Sequence, residues 1–177
     1  GNVVRVELVD NSFSFSPSYM IKAKAISHII SSNISINEFK QFNTTTNDFV
    51  DTDAQTYNMN YMLVFNAMPL IFSATVLSLQ NISYVTSVNM MNYQFRASYK
   101  LFDKKLDPSL AINIANIKIN ENTPDLRIGA NLRMKYKVNK KFDLKVSYSF
   151  NKFIYGSSRE GAMLQENKVQ LSLNKRF

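Results

Sequence analysis

Apolar and polar residues alternate at every second position over long segments of the chain. From Phe142 to Phe150 the apolar set is Phe142, Leu144, Val146, Tyr148 and Phe150, interleaved with Asp143, Lys145, Ser147 and Ser149. Ile128, Ala130, Leu132, Met134, Tyr136 and Val138 repeat the pattern against Gly129, Asn131, Arg133, Lys135 and Lys137. So do Met91, Tyr93, Phe95, Ala97, Tyr99 and Leu101, then Tyr57, Met59, Tyr61, Leu63 and Phe65, and earlier Phe13, Phe15, Tyr19 and Ile21. Successive side chains of a strand point to opposite faces, so each segment is a strand with one apolar and one polar face. The apolar positions do not fall at helical spacing, and the segments are rich in Tyr, Phe, Val and Ile.

The segments recur as strand, short polar turn, strand, at a spacing of about 36 residues. Turns are expected near Asn66–Pro69, Asp103–Pro108 and Asn139–Lys141, with an earlier one near Asp10–Ser12. A last strand runs from about Glu166 to Phe177, which gives about nine strands in all. Longer connections are expected at Asn120–Asp125, Gly156–Gln165 and from about Ser31 to Gln55. Leu70–Leu79 is apolar on both faces, which leaves its facing open. A change of phase between Ile114 and Ile117 predicts a bulge.

Alternation also suits a soluble β-sandwich, and three features favour a transmembrane barrel. The predicted strands are about 11–14 residues long, against about 5–6 in a typical globular sheet. That length fits a tilted membrane crossing. The polar face carries mid-strand charge at Arg96, Arg133, Lys135 and Lys145, which a barrel places in its lumen. Phe65, Tyr99, Phe102, Tyr136, Phe142 and Phe177 all sit beside short turns, where an interfacial aromatic girdle belongs. No apolar run is long enough for a membrane helix. The expected fold is therefore an all-β, antiparallel, up-and-down transmembrane β-barrel built of consecutive hairpins.

The segment Val169-Gln-Leu-Ser-Leu-Asn-Lys-Arg-Phe177 alternates and stops on an aromatic residue. It resembles the C-terminal strand of bacterial outer-membrane β-barrel proteins, with Val169, Leu171, Leu173 and Phe177 matching. Lys175 departs from that pattern, and Ser172 stands where Gly is often found. The Asn/Lys/Ile-rich texture of the chain also resembles barrels of the Bacteroidota. The resemblance implies location in the outer membrane, contact with outer-membrane lipid, and recognition of this strand by the barrel-assembly machinery. It also puts the short turns on the periplasmic side. The last strand then runs downward, and so does the first of nine. Complete barrels usually have an even strand number and start upward. Residues 1–177 are thus expected to be the C-terminal segment of a larger barrel, the rival being a complete single barrel domain of eight or ten strands.

Charge adds a candidate site. The 177 residues carry a formal net charge of +8. Arg96, Lys100, Arg127, Arg133, Lys135 and Arg176 are expected to form a basic lumen or vestibule that attracts anions, with a solvated rim as the bland alternative. No DNA- or RNA-binding motif accompanies the basic residues, so nucleic acid is not an expected partner. Further envelope subunits are.

Catalytic candidates are few. The chain has no Cys and one His, which removes thiolate chemistry and paired imidazoles. His28, with Ser27, Ser31 and Ser32 nearby, is placed near the outer end of the second strand. The acidic run Asn47–Asp53 offers carboxylates for Ca²⁺, but not at EF-hand spacing. No catalytic residue, metal ligand or cofactor is assigned. The expected function is a transport pore, or the membrane-embedded subunit of an envelope complex. The alternatives are a rim-active lipid or peptide hydrolase or acyltransferase using His28, and a soluble β-sandwich binding module.

Overall fold

The alternating segments become strands. The computed structural model describes residues 9–43, 48–83, 86–103, 105–139, 142–156 and 162–175. Its strands are β1 (Val9–Phe15), β2 (Ser18–Lys22), β3 (Ile26–Asn43), β4 (Asp48–Phe65), β5 (Leu70–Ser83), β6 (Ser87–Tyr99), β7 (Leu106–Ile119), β8 (Asp125–Lys137), β9 (Phe142–Ile154) and β10 (Met163–Lys175). From β3 onward each pairs antiparallel with the next, and β1 and β2 both pair with β3.

β1 and β2 keep a single register on β3: Phe15 lies opposite Ile34, and Ser18 opposite Ser31. They are one strand interrupted at Ser16–Pro17, because Pro17 has no N–H for the ladder. The Ser32 N–H still donates to the Pro17 carbonyl at 3.0 Å. The described sheet therefore has nine antiparallel positions in up-and-down order, the fold class the alternation predicts. Among the described residues its two outermost strands do not pair with each other. Both run toward the short-turn end, so a direct pairing between them would be parallel.

Register sorts the side chains, since directly opposed residues share a face. Leu63, Phe72, Ala97, Leu110, Leu132, Tyr148 and Val169 form one row across seven strands. Most large apolar side chains that remain exposed lie on this face, among them Phe95 at 55% and Leu132 at 48%. The sheet has almost no core of its own: among the described hydrophobic residues only Ala115 is buried. Phe65, Tyr99, Tyr136 and Phe142 lie on the apolar face beside the short turns, while the exposed Phe102 sits in a turn at φ 49°. Phe177 lies outside the described residues.

Several expected boundaries differ. Asp10–Ser12 is not a turn, because these residues pair with Asn37–Phe39 of β3. The chain reverses instead at 23–25, where the Asn66 side-chain amide donates to the Ala23 carbonyl at 2.8 Å. Ser31–Gln55 is not a long connection either. Most of it lies in β3 and β4, paired from Ile26–Phe65 to Asn43–Asp48. Its Ser, Asn and Thr content reads as loop, yet Ile34 and Ile36 keep the outward alternation and the ladder satisfies the backbone. No bulge separates Ile114 from Ile117, since β7 holds one register on both neighbours. The phase changes because Asn116 and Lys118 take the outward positions near the long-loop end. On β5, Leu70, Phe72, Ala74 and Val76 face outward, while Ile71, Ser73, Thr75 and Leu77 face inward.

Candidate lumenal site

The inward face differs from one half of the sheet to the other. On β1–β5 it is mainly hydroxyl and amide, with Ser12, Ser14, Ser18, Ser31, Asn33, Asn58, Asn60 and Thr75. On β6–β10 it carries the charge. Arg96, Asp107, Ser109, Arg133, Lys135, Lys145, Ser147, Gln170 and Ser172 line one cleft of 470 Å³. Five consecutive strands contribute to that one cleft, so the sheet is concave on its polar side. Four cations face one carboxylate there.

Cross-strand register sets the local balance. Lys135 stands directly opposite Lys145 on one side and Asp107 on the other. Like charges in direct opposition repel. Asp143, two residues before Lys145, relieves this by pairing with Lys135 at 3.4 Å between Nζ and Oδ2. The Asp143 side chain is 6% exposed and that of Lys135 29%, so water screens the pair weakly.

The expected basic set is only partly brought together. Arg96, Arg133 and Lys135 share the main cleft. Lys100 joins Lys105, Asp107, Lys135 and Lys137 in a smaller cleft of 150 Å³ nearer the turns. The two clefts share Asp107 and Lys135, giving a basic path from the short-turn mouth inward. Arg127 is elsewhere, near the long-loop end. Its guanidinium lies 4.9 Å from the Phe153 ring centroid and donates to Asn151 Oδ1 at 3.4 Å. Arg176 lies outside the described residues. Lys145, already expected on the lumenal face, belongs to the cleft, and so does Asp107, which was expected in the turn Asp103–Pro108 but lies in β7. The signal that could have found Asp107 is its shared parity with Ser109.

His28 is not at the outer end. It lies near the start of β3 at the short-turn end, opposite Leu63 on the apolar face. Its Nδ1 is 2.7 Å from Tyr61 Oη. Ser27 and Ser31 point to the other face, and Ser32 is a full four residues along the strand. The acidic run is not a loop cage: Asp51 and Asp53 are strand residues of β4, and Asp51 pairs with Lys40 at 3.7 Å. On β10, Val169, Leu171 and Leu173 project outward at 74%, 68% and 66% exposure.

An apolar hollow of 290 Å³ also lies on the outward face over Ala74 and Ala97, walled by Phe72, Phe95 and Leu110. It is lined almost wholly by alkyl and aromatic groups, so the polar cleft is the better functional candidate.

Solved structures share this architecture. In-vitro-folded OmpT, an outer membrane protein of Vibrio cholerae, superposes with TM-score 0.52 at 10% identity, over 90% of this chain and 61% of its own. The trimer form of OmpT gives TM-score 0.54 at 8% identity, over 91% and 64%. The fold is that of an outer-membrane β-barrel. This chain spans less than two thirds of the length of those barrels. No protein-family model matches the chain, and no curated protein matches it in sequence.

Proposed function

We propose that this chain forms wall of a bacterial outer-membrane pore whose lumen favours anions. The carrying observation is the cleft on the concave face, where Arg96, Arg133, Lys135 and Lys145 outnumber Asp107 and the Lys135-paired Asp143. A basic constriction raises the local concentration of anions and repels cations, with low-dielectric walls focusing the field. Membrane placement is supported by the many large apolar side chains left exposed on the outward face, which soluble monomers rarely gather on one surface. The likeness to outer membrane proteins supports the location. In this reading the outward face meets lipid, β10 is presented to the barrel-assembly machinery through Val169, Leu171 and Leu173, and further envelope subunits are candidate partners.

The test is reconstitution of the purified chain in planar bilayers under a KCl gradient. The reversal potential is expected to show chloride preference. The triple variant Arg96→Gln, Arg133→Gln, Lys145→Gln is expected to move it toward zero or cation preference. Cation preference in the native chain would overturn the reading.

The proposed role is not catalytic. His28 bonds to Tyr61 on the lipid-facing side, and Ser27 and Ser31 face away from it. His28→Ala is expected to leave lipid and peptide turnover unchanged from background; a specific turnover lost in that variant would restore the enzyme.

A further inference from the structure

Barrel interiors of this kind are ordinarily polar, yet the lumenal face here has an apolar patch beside the basic cleft. Ile29 and Met62 are directly opposed across β3 and β4, and Val64 and Ile71 across β4 and β5. All four have inward parity and are half-buried. Met62 shares a row with Ser73 and Arg96, two strands away. Ile71 shares a row with Ser98, Ser109 and Arg133. One serine thus separates the patch from Arg96 in the first row, and two separate it from Arg133 in the second, so patch and cations lie side by side across a hydroxyl seam. On its long-loop side it is bounded by a wholly polar row, Ser31, Asn60, Thr75, Gln94 and Asn113, in which the Thr75 hydroxyl donates to Asn60 Oδ1 at 3.0 Å.

We propose that the lumen binds anionic amphiphiles: a short alkyl chain lies on Ile29, Met62, Val64 and Ile71 while its anionic head meets Arg96 and Arg133. Both halves of the match are needed. Cations alone take any small anion, and the alkyl wall alone takes any apolar solute. The polar row limits the alkyl part to the length of the patch. This deepens the pore reading and rests on the same lumen, but binding does not require that the lumen conduct.

The experiment compares acetate, hexanoate and hexanol as blockers of chloride current through the reconstituted chain. Each buried methylene strengthens transfer about fourfold, and a one-sided wall shared by four extra methylenes gives about tenfold. Hexanoate is expected to block at about tenfold lower concentration than acetate, and hexanol weakly. The Met62→Asn, Ile71→Asn variant is expected to abolish the difference between hexanoate and acetate while chloride conductance persists, which also reports its folding. Ile29→Asn alone serves if the double variant does not conduct. Equal block by acetate and hexanoate, or a chain-length dependence that survives these variants, would overturn the proposal. If the native chain does not conduct, equilibrium dialysis of radiolabelled hexanoate against protein-loaded and empty lipid nanodiscs decides. Saturable binding there removes the pore and keeps the amphiphile site; binding equal to empty nanodiscs removes the site.

Discussion

Asp143→Asn is the substitution for which the structure gives the clearest magnitude. The carboxylate is 6% exposed, and its Oδ2 lies 3.4 Å from Lys135 Nζ. At that separation, with an effective dielectric of about 20, the gross attraction is about 5 kcal/mol. Desolvation of both groups offsets much of it, and Lys135, 29% exposed, keeps part of its hydration. Lys135 can also lean toward Asp107 opposite it. Against that, the variant leaves Lys135 and Lys145 opposed with only Asp107 to neutralise them, a repulsion of about 0.2–1 kcal/mol. The expected loss is about 2 kcal/mol. It is read by equilibrium urea unfolding in micelles, followed by far-ultraviolet circular dichroism, for Asp143→Asn, Lys135→Met and the double variant. The cycle is expected to return a coupling of about 2 kcal/mol that persists in high salt, because the pair is shielded from water. A coupling below about 0.5 kcal/mol would refute the assignment of Lys135–Asp143 as the group that holds the β8–β9 end together.

Neighbouring residues on opposite faces supply the next test: Leu132→Arg is expected to destabilise by about 2–4 kcal/mol in a bilayer, whereas Asn131→Arg changes stability little and strengthens anion preference. Equal costs would mean that the outward face does not meet lipid. Gly156→Ala is expected to destabilise by about 1–3 kcal/mol, since its Cβ would stand 2.1 Å from the Thr123 carbonyl oxygen and 3.0 Å from that of Pro124. The shift should also strain the 2.7 Å bond from the Gly156 N–H to Asp125 Oδ1, and an unchanged melting profile counts against that packing. Glu121→Gln is expected to leave the unfolding midpoint unchanged, because its partner Lys118 is 40% exposed and Glu121 fully so, and a shifted midpoint would count against that.

Much of the fold is legible in the sequence because face assignment needs only parity. Once Leu132 and Tyr148 are outward, Arg133 and Ser147 are inward, and pairing aligns the rows. What escaped has two physical sources. The first is composition: Ser31–Gln55 is so rich in Ser, Asn, Thr and Asp that it reads as loop, although a ladder paired on both edges needs no apolar side chains to hold its backbone. Misplacing that hairpin also sent His28 to the wrong end. The second is that a phase change has more than one cause. At Ile114–Ile117 the register is intact and the environment changes, as Asn116 and Lys118 take outward positions near the loops. Sequence alone does not separate a bulge from an exit.

The candidate site was legible as a face but not as a cluster. Arg96, Arg133 and Arg127 share inward parity, and parity cannot tell how far apart they lie along the barrel axis. Height between strands comes from register, which sets Arg133 level with Ser109 and Ser147 and Arg96 level with Ser73 and Ala111, whereas Arg127 stands six residues from Arg133 on one strand, about 20 Å away. The same levelling places Ile71 in the row of Arg133 and Met62 in the row of Arg96. An apolar residue at an inward position looks like noise when each strand is taken singly. Aligned across β3, β4 and β5, four such residues become a wall beside the cations, and a lumen built this way discriminates among anions by their tails as well as by their charge.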